Sequence, residues 1–448
     1  MQLDFFAIVN ENTNGNGKAS FSDPNFASNK TKPVHRWVPW IAGFASDFVK
    51  NVIAENLPQP GVVLDPFAGV GTTLIEAYHA GHDVIGFEIN PYAALACRVK
   101  LSASRLDSHQ LRVNLAQLRA FFQQSIDTTY IPQSTTPDGF KTRVAFYSPR
   151  VLRKVLVIQD FINALEDRRV AEVFQLAFAA TMVSYSNYSY EPSLGTRKAV
   201  GKSDIEDAPV LEALSAKLTE MISDVEFMRL NDSPLGTSAK VVNASFFRCR
   251  DYAEAGSVDL CITSPPYLNN YHYIRNTRPQ LYWLGFVSSP QDTEHLAQDN
   301  FGKYWQTVRE LDEVPLDFPN PPGALVKQLK CLRGLKTERG IYGGKGWANY
   351  AAAYFNDCYR FAECLNYVLK PGGQAFVVIG NSILQGLMIP TDQYLGEIAE
   401  RVGLQLTDIQ IPRQTRVGNS IIQSDVRVEK AAAKHRLYES VVHLTKPQ

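Results

Sequence analysis

Thr263-Ser264-Pro265-Pro266-Tyr267 sets a hydroxyl, two prolines and an aromatic ring in one short run. The exocyclic amine of a nucleobase is a poor nucleophile because its lone pair is delocalised into the ring. Acceptors that bond both N–H groups and favour a pyramidal nitrogen restore reactivity, and the Ser264 hydroxyl and Pro265 carbonyl are of that kind. Proline has no N–H and stiffens the backbone, so that carbonyl is aimed without a competing donor from Pro266. Tyr267 is suited to stack on an extruded base. Extrusion costs a few kcal/mol, and an aromatic stack returns about 1–3 kcal/mol. Taken alone, Ser-Pro-Pro is also a common strand-end loop.

A second run, Leu64-Asp65-Pro66-Phe67-Ala68-Gly69-Val70-Gly71-Thr72-Thr73, reads as a strand end, a glycine turn and a helix start. Gly69 and Gly71 remove side chains where the backbone must turn tightly and approach a ligand, and Thr72-Thr73 opens a helix whose free N–H groups face the same spot. This arrangement receives an adenosine-containing cofactor. Leu74 stands where the dinucleotide fingerprint has its third glycine, which disfavours a nicotinamide-dependent dehydrogenase. Glu88, at the end of the next strand, is placed to accept both ribose hydroxyls; its alternative is a surface acid before a turn. Asp65 either caps the turn or attracts the positive part of a ligand. The aromatic residues from His35 to Phe44 form either core or ligand wall.

Both motifs need a scaffold, and the sequence supplies one. Ser46 to Asn56 shows helical apolar spacing behind a Ser46-Asp47 start, and Pro58 and Pro60 stop it. A strand over 61–65, a helix over 72–80, a strand over 83–88 and a helix from Pro91 to Lys100 follow with short connections. This is the β-α-β-α pattern of a parallel doubly wound sheet. It resumes with strands at 240–244, 258–263 and 375–380, so two insertions interrupt one sheet. The expected organisation is a mobile arm over 1–32, a catalytic domain over 33–101, 239–274 and 347–448, a helical insertion over 102–238, and a second insertion over 275–346. In the first insertion, 151–165, 170–185 and 210–230 carry helical spacing. In the second, Lys327, Lys330, Arg333, Lys336, Arg339 and Lys345 accompany one acid, Glu338.

The 448 residues carry 45 basic and 45 acidic side chains, so no global positive field marks a polyanionic partner and any nucleic-acid surface is a local patch. The six cysteines form no C-x-x-C pair, which points to reduced thiols in a cytoplasmic protein and to no metal site. No signal peptide and no membrane span is expected.

Together the two motifs resemble the amino-methyltransferases of DNA, in which S-adenosylmethionine sits against an Asp-Pro-Phe-x-Gly-x-Gly-Thr loop and a Ser/Asp/Asn-Pro-Pro-Tyr loop binds the target amine. The resemblance covers residues 34–100 and 240–273, with weaker cover over 350–445. It implies an α/β, doubly wound Rossmann-like methyltransferase sheet with two largely helical or irregular insertions. It assigns Ser264, Pro265, Pro266 and Tyr267 to catalysis, and Asp65, Phe67, Gly69, Gly71, Thr72 and Glu88 to the cofactor. Asp251 would lie near the adenine ring, and 35–44 beside the methionine moiety. A serine at the first place of the motif usually accompanies cytosine N4 methylation, and an aspartate or asparagine adenine N6 methylation. The implied partners are double-stranded DNA with a flipped base and a cognate restriction endonuclease; a monomer and a homodimer are both open.

The reaction expected is direct in-line methyl transfer governed by positioning, since Ser264 is no strong base. No Pro-Cys pair provides the thiol that carbon-5 methylation needs. Adenine N6 methylation is the alternative within the class, followed by an RNA substrate and by a regulator that binds nucleotide or DNA without turnover. Either insertion could recognise the target, with 327–345 in the second and Arg197, Lys198 and Lys202 in the first as the basic candidates.

Overall fold

Apolar runs such as Val62–Asp65 and Val258–Thr263 need cover on both faces, and they receive it as central strands of a seven-stranded sheet. The computed structural model describes residues 29–40, 43, 45–190, 193–230, 236–268, 273–415 and 437–448. Its strands are β1 (Val62–Asp65), β2 (Asp83–Phe87), β3 (Tyr188–Tyr190), β4 (Leu194–Thr196), β5 (Ala239–Val242), β6 (Val258–Thr263), β7 (Leu369–Gly380), β8 (Ser382–Leu384), β9 (Leu387–Ile389), β10 (Gln405–Thr415) and β11 (Leu437–Thr445). The sheet order is β10-β11-β7-β6-β1-β2-β5, while β3–β4 and β8–β9 form separate hairpins.

The five strands from β5 to β7 run parallel. β11 is antiparallel to both β7 and β10. The sheet is therefore the expected doubly wound one with a reversed strand near one edge. β10 leaves one place vacant beside β7, and β11 fills it from the opposite direction.

Side-chain alternation sorts the two faces. Val63, Leu260, Ile262 and Val378 pack toward α1 (Ser46–Asn56), α2 (Thr72–His79) and part of α3 (Pro91–Leu101). Their neighbours Leu64, Cys261, Val377 and Ile379 join a core on the other face, built with two helices that the chain reaches much later. The long stretch after α3 folds as α4 (Ser108–Ile126), α5 (Pro149–Asn163), α6 (Arg168–Thr181) and α7 (Val210–Leu230), sharing one core with α3. Asp107, Ser148 and Asp167 begin three of these helices by accepting backbone N–H groups.

After β6 come α8 (Tyr273–Asn276), α9 (Arg278–Trp283), α10 (Pro290–Gln298), α11 (Trp305–Val308) and α12 (Gly323–Arg333). α13 (Gly344–Val368) and α14 (Thr391–Arg401) complete the far face of the sheet, and Val308, Leu325, Leu329 and Leu332 belong to the same core.

The proposed arm falls outside the described residues up to 28. Its last residues are packed: Asn29 is buried and its side chain accepts from the Ser46 amide at 3.0 Å, while Lys32 reaches Ser46 and Asp47. The start of α1 lacks a cap of its own and draws these residues onto it. Phe44 also lies outside the described residues.

Candidate active site

Four adjacent parallel strands, β5, β2, β1 and β6, end at one rim, so the loops that follow them converge without long-range coincidence. The glycine loop leaves β1, Glu88 follows β2, Asn243 follows β5 and Ser264 follows β6. Their connections are short enough for the sheet to dictate the geometry.

The loops after β1 and β6 are tied together. The Thr263 hydroxyl donates to Asp65 at 2.6 Å, and the Phe67 amide donates to the same carboxylate oxygen at 3.1 Å. Asp65 is 1% exposed, so its carboxylate caps the turn and holds β6, facing inward. Burial pushes its pKa up to about 6, against the pull of the Thr263 and Thr73 hydroxyls and the Phe67 amide.

Gly69 and Gly71 have φ of 52° and 89°, the left-handed region that glycine enters at no steric cost. A side chain at Gly69 would press on the Trp40 indole at 3.1 Å, and one at Gly71 on the Cys97 thiol at 3.1 Å. Cys97 donates to the Gly69 carbonyl, and burial keeps that thiol protonated by pushing its pKa up. Thr72 and Thr73 are buried at the start of α2, and Thr73 donates to the Ile262 carbonyl. The missing third glycine has a structural counterpart. Leu74 packs where a side chain on Gly86 of β2 would stand, so the sheet, and not the helix, gives up the side chain that close packing excludes.

Glu88 accepts from the Gly69 amide at 2.8 Å and from the Asn90 amide at 2.7 Å, one on each oxygen. Burial pushes its pKa up to about 7 despite those two amides. Beside it, Asn243 donates to the Glu88 and Ile89 carbonyls. Asp251 is exposed at the end of a 3-10 turn and paired with Arg248 at 3.0 Å. Phe67 packs edge-on against Phe301 at 5.2 Å and against Phe361 at 5.6 Å.

On the amine side, the Pro266 carbonyl accepts from the Tyr354 hydroxyl of α13 at 3.0 Å, and the Ser264 side chain hydrogen-bonds the Tyr267 side chain. Tyr267 donates to Glu439 at 3.1 Å, and its ring lies where a Gly380 side chain would be, 2.9 Å away. The ring is thereby held from β7 and β11. Ser382 donates to the Leu268 carbonyl and fixes the loop's exit.

Sequence reasoning missed several supports. Lys100 is fully buried and its ammonium donates to the Val70 and His35 carbonyls, joining the glycine loop to the segment before α1. Burial lowers its pKa to about 7. Trp37 is core, with its N–H on Asp224, whereas Trp40 flanks Gly69 and stacks on Tyr273. The aromatic cluster thus contributes Trp37 to the core and Trp40 to one side of the glycine loop. Among the described residues all six cysteines are free, no acidic, His or Cys cluster could hold a metal ion, and no helix is long and apolar enough to cross a membrane.

Comparison with known proteins gives the family. Residues 10–97 match the N6/N4 family model described as DNA methylase. Type II methyltransferase M.BsoBI of Geobacillus stearothermophilus is 23% identical over 438 residues, covering 88% of this chain and 83% of its own length. M.AvaI of Anabaena variabilis is 27% identical over 445 residues, covering 92% and 87%. M.MvaI of Kocuria varians is 21% identical over 396 residues, covering 84% and 83%.

Proposed function

The chain belongs to the amino-methyltransferase family of DNA methylases, and we propose that it transfers a methyl group from S-adenosylmethionine to the N4 amine of cytosine in double-stranded DNA. The observation that carries this reading is the 2.6 Å bond from Thr263 to Asp65, which couples the acceptor loop to the glycine loop. Serine at position 264 supports cytosine as the base.

The residues at the rim fit the cofactor. Gly69 and Gly71 keep the backbone open beside Trp40, and Glu88 is held with its carboxylate at the end of β2. In this reading the loop from Gly69 to Thr72 carries the amino-acid end, Glu88 the ribose and Asn243 the adenine end. Phe67 backs the loop as a wall. Asp65 acts as the tie between loops, and Asp251, paired with Arg248 at the surface, stays the acid proposed for the adenine ring. S-adenosylmethionine supplies an electrophilic methyl group when bound.

Ser264 and Pro265 accept the two N–H groups of the target amine and favour a pyramidal nitrogen. As the nitrogen gains positive charge those oxygens stabilise it, and its proton leaves afterwards. Pro266, held by Tyr354, and Tyr267, held by Glu439 and Gly380, need no reorganisation when the base arrives. A restriction endonuclease of matching specificity is the implied partner, in keeping with the Type II names of the relatives.

The test is incubation of the purified chain with unmethylated DNA or RNA and methyl-labelled S-adenosylmethionine. Label should enter DNA, and Ser264→Ala with Tyr267→Ala should abolish it while cofactor affinity persists. Label confined to RNA, or cofactor binding without any transfer, would overturn the reading.

A further inference from the structure

The geometry points to the surface of α12, the 3-10 segment Thr337–Tyr342 and the start of α13 as the face that grips duplex DNA beside the target base, with Tyr342 as its stacking platform. This rests on the reading of the chain as a DNA methyltransferase and concerns the partner of that same site.

Arg309 lies over the Trp305 ring at 4.7 Å and the Tyr342 ring at 5.0 Å. Trp305 stacks on Trp347 at 5.2 Å and tilts against Tyr342 at 5.6 Å. These residues form a cation and aromatic pile whose outermost ring, Tyr342, is 56% exposed. Exposing a large ring while stacking its neighbours beneath it costs apolar contact with water that an interior position would avoid. Nucleic-acid surfaces use such rings because every base has a face to stack on.

The loop that carries Tyr342 is built to be rigid. Side chains at Gly343, Gly344 and Gly346 would collide with the carbonyl oxygens of Lys336, Leu332 and Ile341. The Gly344 amide closes the loop onto the Leu335 carbonyl at 2.8 Å. A rigid ring loses little freedom when a base lands on it.

Two connections join this face to the amine loop. Tyr354, which holds the Pro266 carbonyl, lies on α13 two helical turns beyond Trp347, about 10 Å along the axis. The β8–β9 hairpin touches both sides, through Ser382 on the Leu268 carbonyl and Gln385 on the Tyr342 carbonyl. That spacing suits a nucleotide flanking an extruded base.

Charge narrows the choice of surface. The basic run is less uniform in space than in sequence, because Arg333 pairs with Glu313 and Lys345 with Asp312. Lys327, Lys330 and Arg339 are exposed and make no ion pair with a described residue, so three cations remain for phosphates. In the first insertion, Lys198 pairs with Asp204 at 2.8 Å and Arg197 bonds the Ser203 carbonyl.

The experiment uses full-length protein, unmethylated genomic fragments and labelled methyl transfer. Tyr342→Ala should raise the KM for DNA about 5- to 150-fold with cofactor affinity unchanged, and Tyr342→Phe should restore it. Lys327→Ala with Lys330→Ala and Arg339→Ala should flatten the salt dependence of binding by a slope of about 3. A protein that methylates DNA normally as Tyr342→Ala and keeps its salt slope in the triple variant would overturn the surface alone. Wild-type protein that binds no duplex would overturn both the surface and the functional reading.

Discussion

Thr263→Val removes one hydroxyl from a buried position and leaves the side-chain volume nearly unchanged. The Asp65 carboxylate then loses its 2.6 Å donor and keeps the Phe67 amide. A hydrogen bond to a charged group contributes about 1.5–3 kcal/mol, so kcat should fall roughly 10- to 150-fold if the tie sets the Ser264 geometry in the transition state. Cofactor affinity should stay within about twofold, since the change loosens the amine loop and not the glycine loop. The acid limb of the pH profile gives an independent check. Asp65 is pushed up to about 6 in the folded chain, and loss of the Thr263 donor raises it further, so the limb in kcat at saturating cofactor should move to higher pH in Thr263→Val and vanish in Asp65→Asn. Stability runs the opposite way to activity. A carboxyl raised from 3.8 to about 6 contributes stability that is full below pH 3.8 and lost as pH rises through about 6, a change of about 3 kcal/mol. Denaturant midpoints at pH 4 and pH 7 should therefore differ less in Asp65→Asn than in wild type. Steady-state kinetics of Thr263→Val showing wild-type kcat and an unmoved acid limb would refute the argument.

Three further perturbations probe the supports of the rim. Glu88 titrates near 7, and only its ionised form accepts both ribose hydroxyls, so calorimetry should find cofactor affinity rising between pH 6 and pH 8 in wild type and flat in Glu88→Gln; equal pH dependence in both would remove Glu88 from the ribose. Lys100→Met removes the donor shared by the buried His35 and Val70 carbonyls and should lower stability by about 1–3 kcal/mol for each acceptor left unpaired, while weakening cofactor binding through the freed Val70 carbonyl. Normal cofactor binding in that variant would contradict the assignment. Gly380→Ala drives a methyl group into the Tyr267 ring and should lower kcat and raise the KM for DNA, with thermal stability falling by about 1–3 kcal/mol; unchanged kinetics would show that Tyr267 need not be held.

Local patterns were legible in the sequence wherever one element contained its own signal. Ser46 to Asn56 and Val210 to Leu230 form helices with those bounds, and the strand ends that carry Asp65, Glu88 and Ser264 lie at one rim as the β-α-β-α pattern implied. Most of what escaped depends on partners distant in sequence, with one local exception. α4 carries Leu111, Leu115, Leu118 and Phe122 at helical spacing and could have been named. The reversed direction of β11 could not, because alternation sets which faces are buried and not which way a strand runs. Gly86 reads as an ordinary strand glycine until Leu74 is seen to fill its place. The run from Lys327 to Lys345 looks almost purely basic because its neutralising acids, Asp312 and Glu313, come from an earlier loop. Asp251 came from the family resemblance alone, whereas Asn243, which follows β5 and bonds the Glu88 and Ile89 carbonyls, carries only an amide and no motif marks it.

The central claim is most directly tested by mass spectrometry of nucleosides from unmethylated DNA incubated with the purified chain and labelled S-adenosylmethionine. Labelled N4-methylcytosine is the predicted product. Labelled N6-methyladenine would contradict the assignment of the base, and the absence of any labelled nucleoside from a cofactor-bound protein would contradict the account of Ser264 to Tyr267 as an amine site.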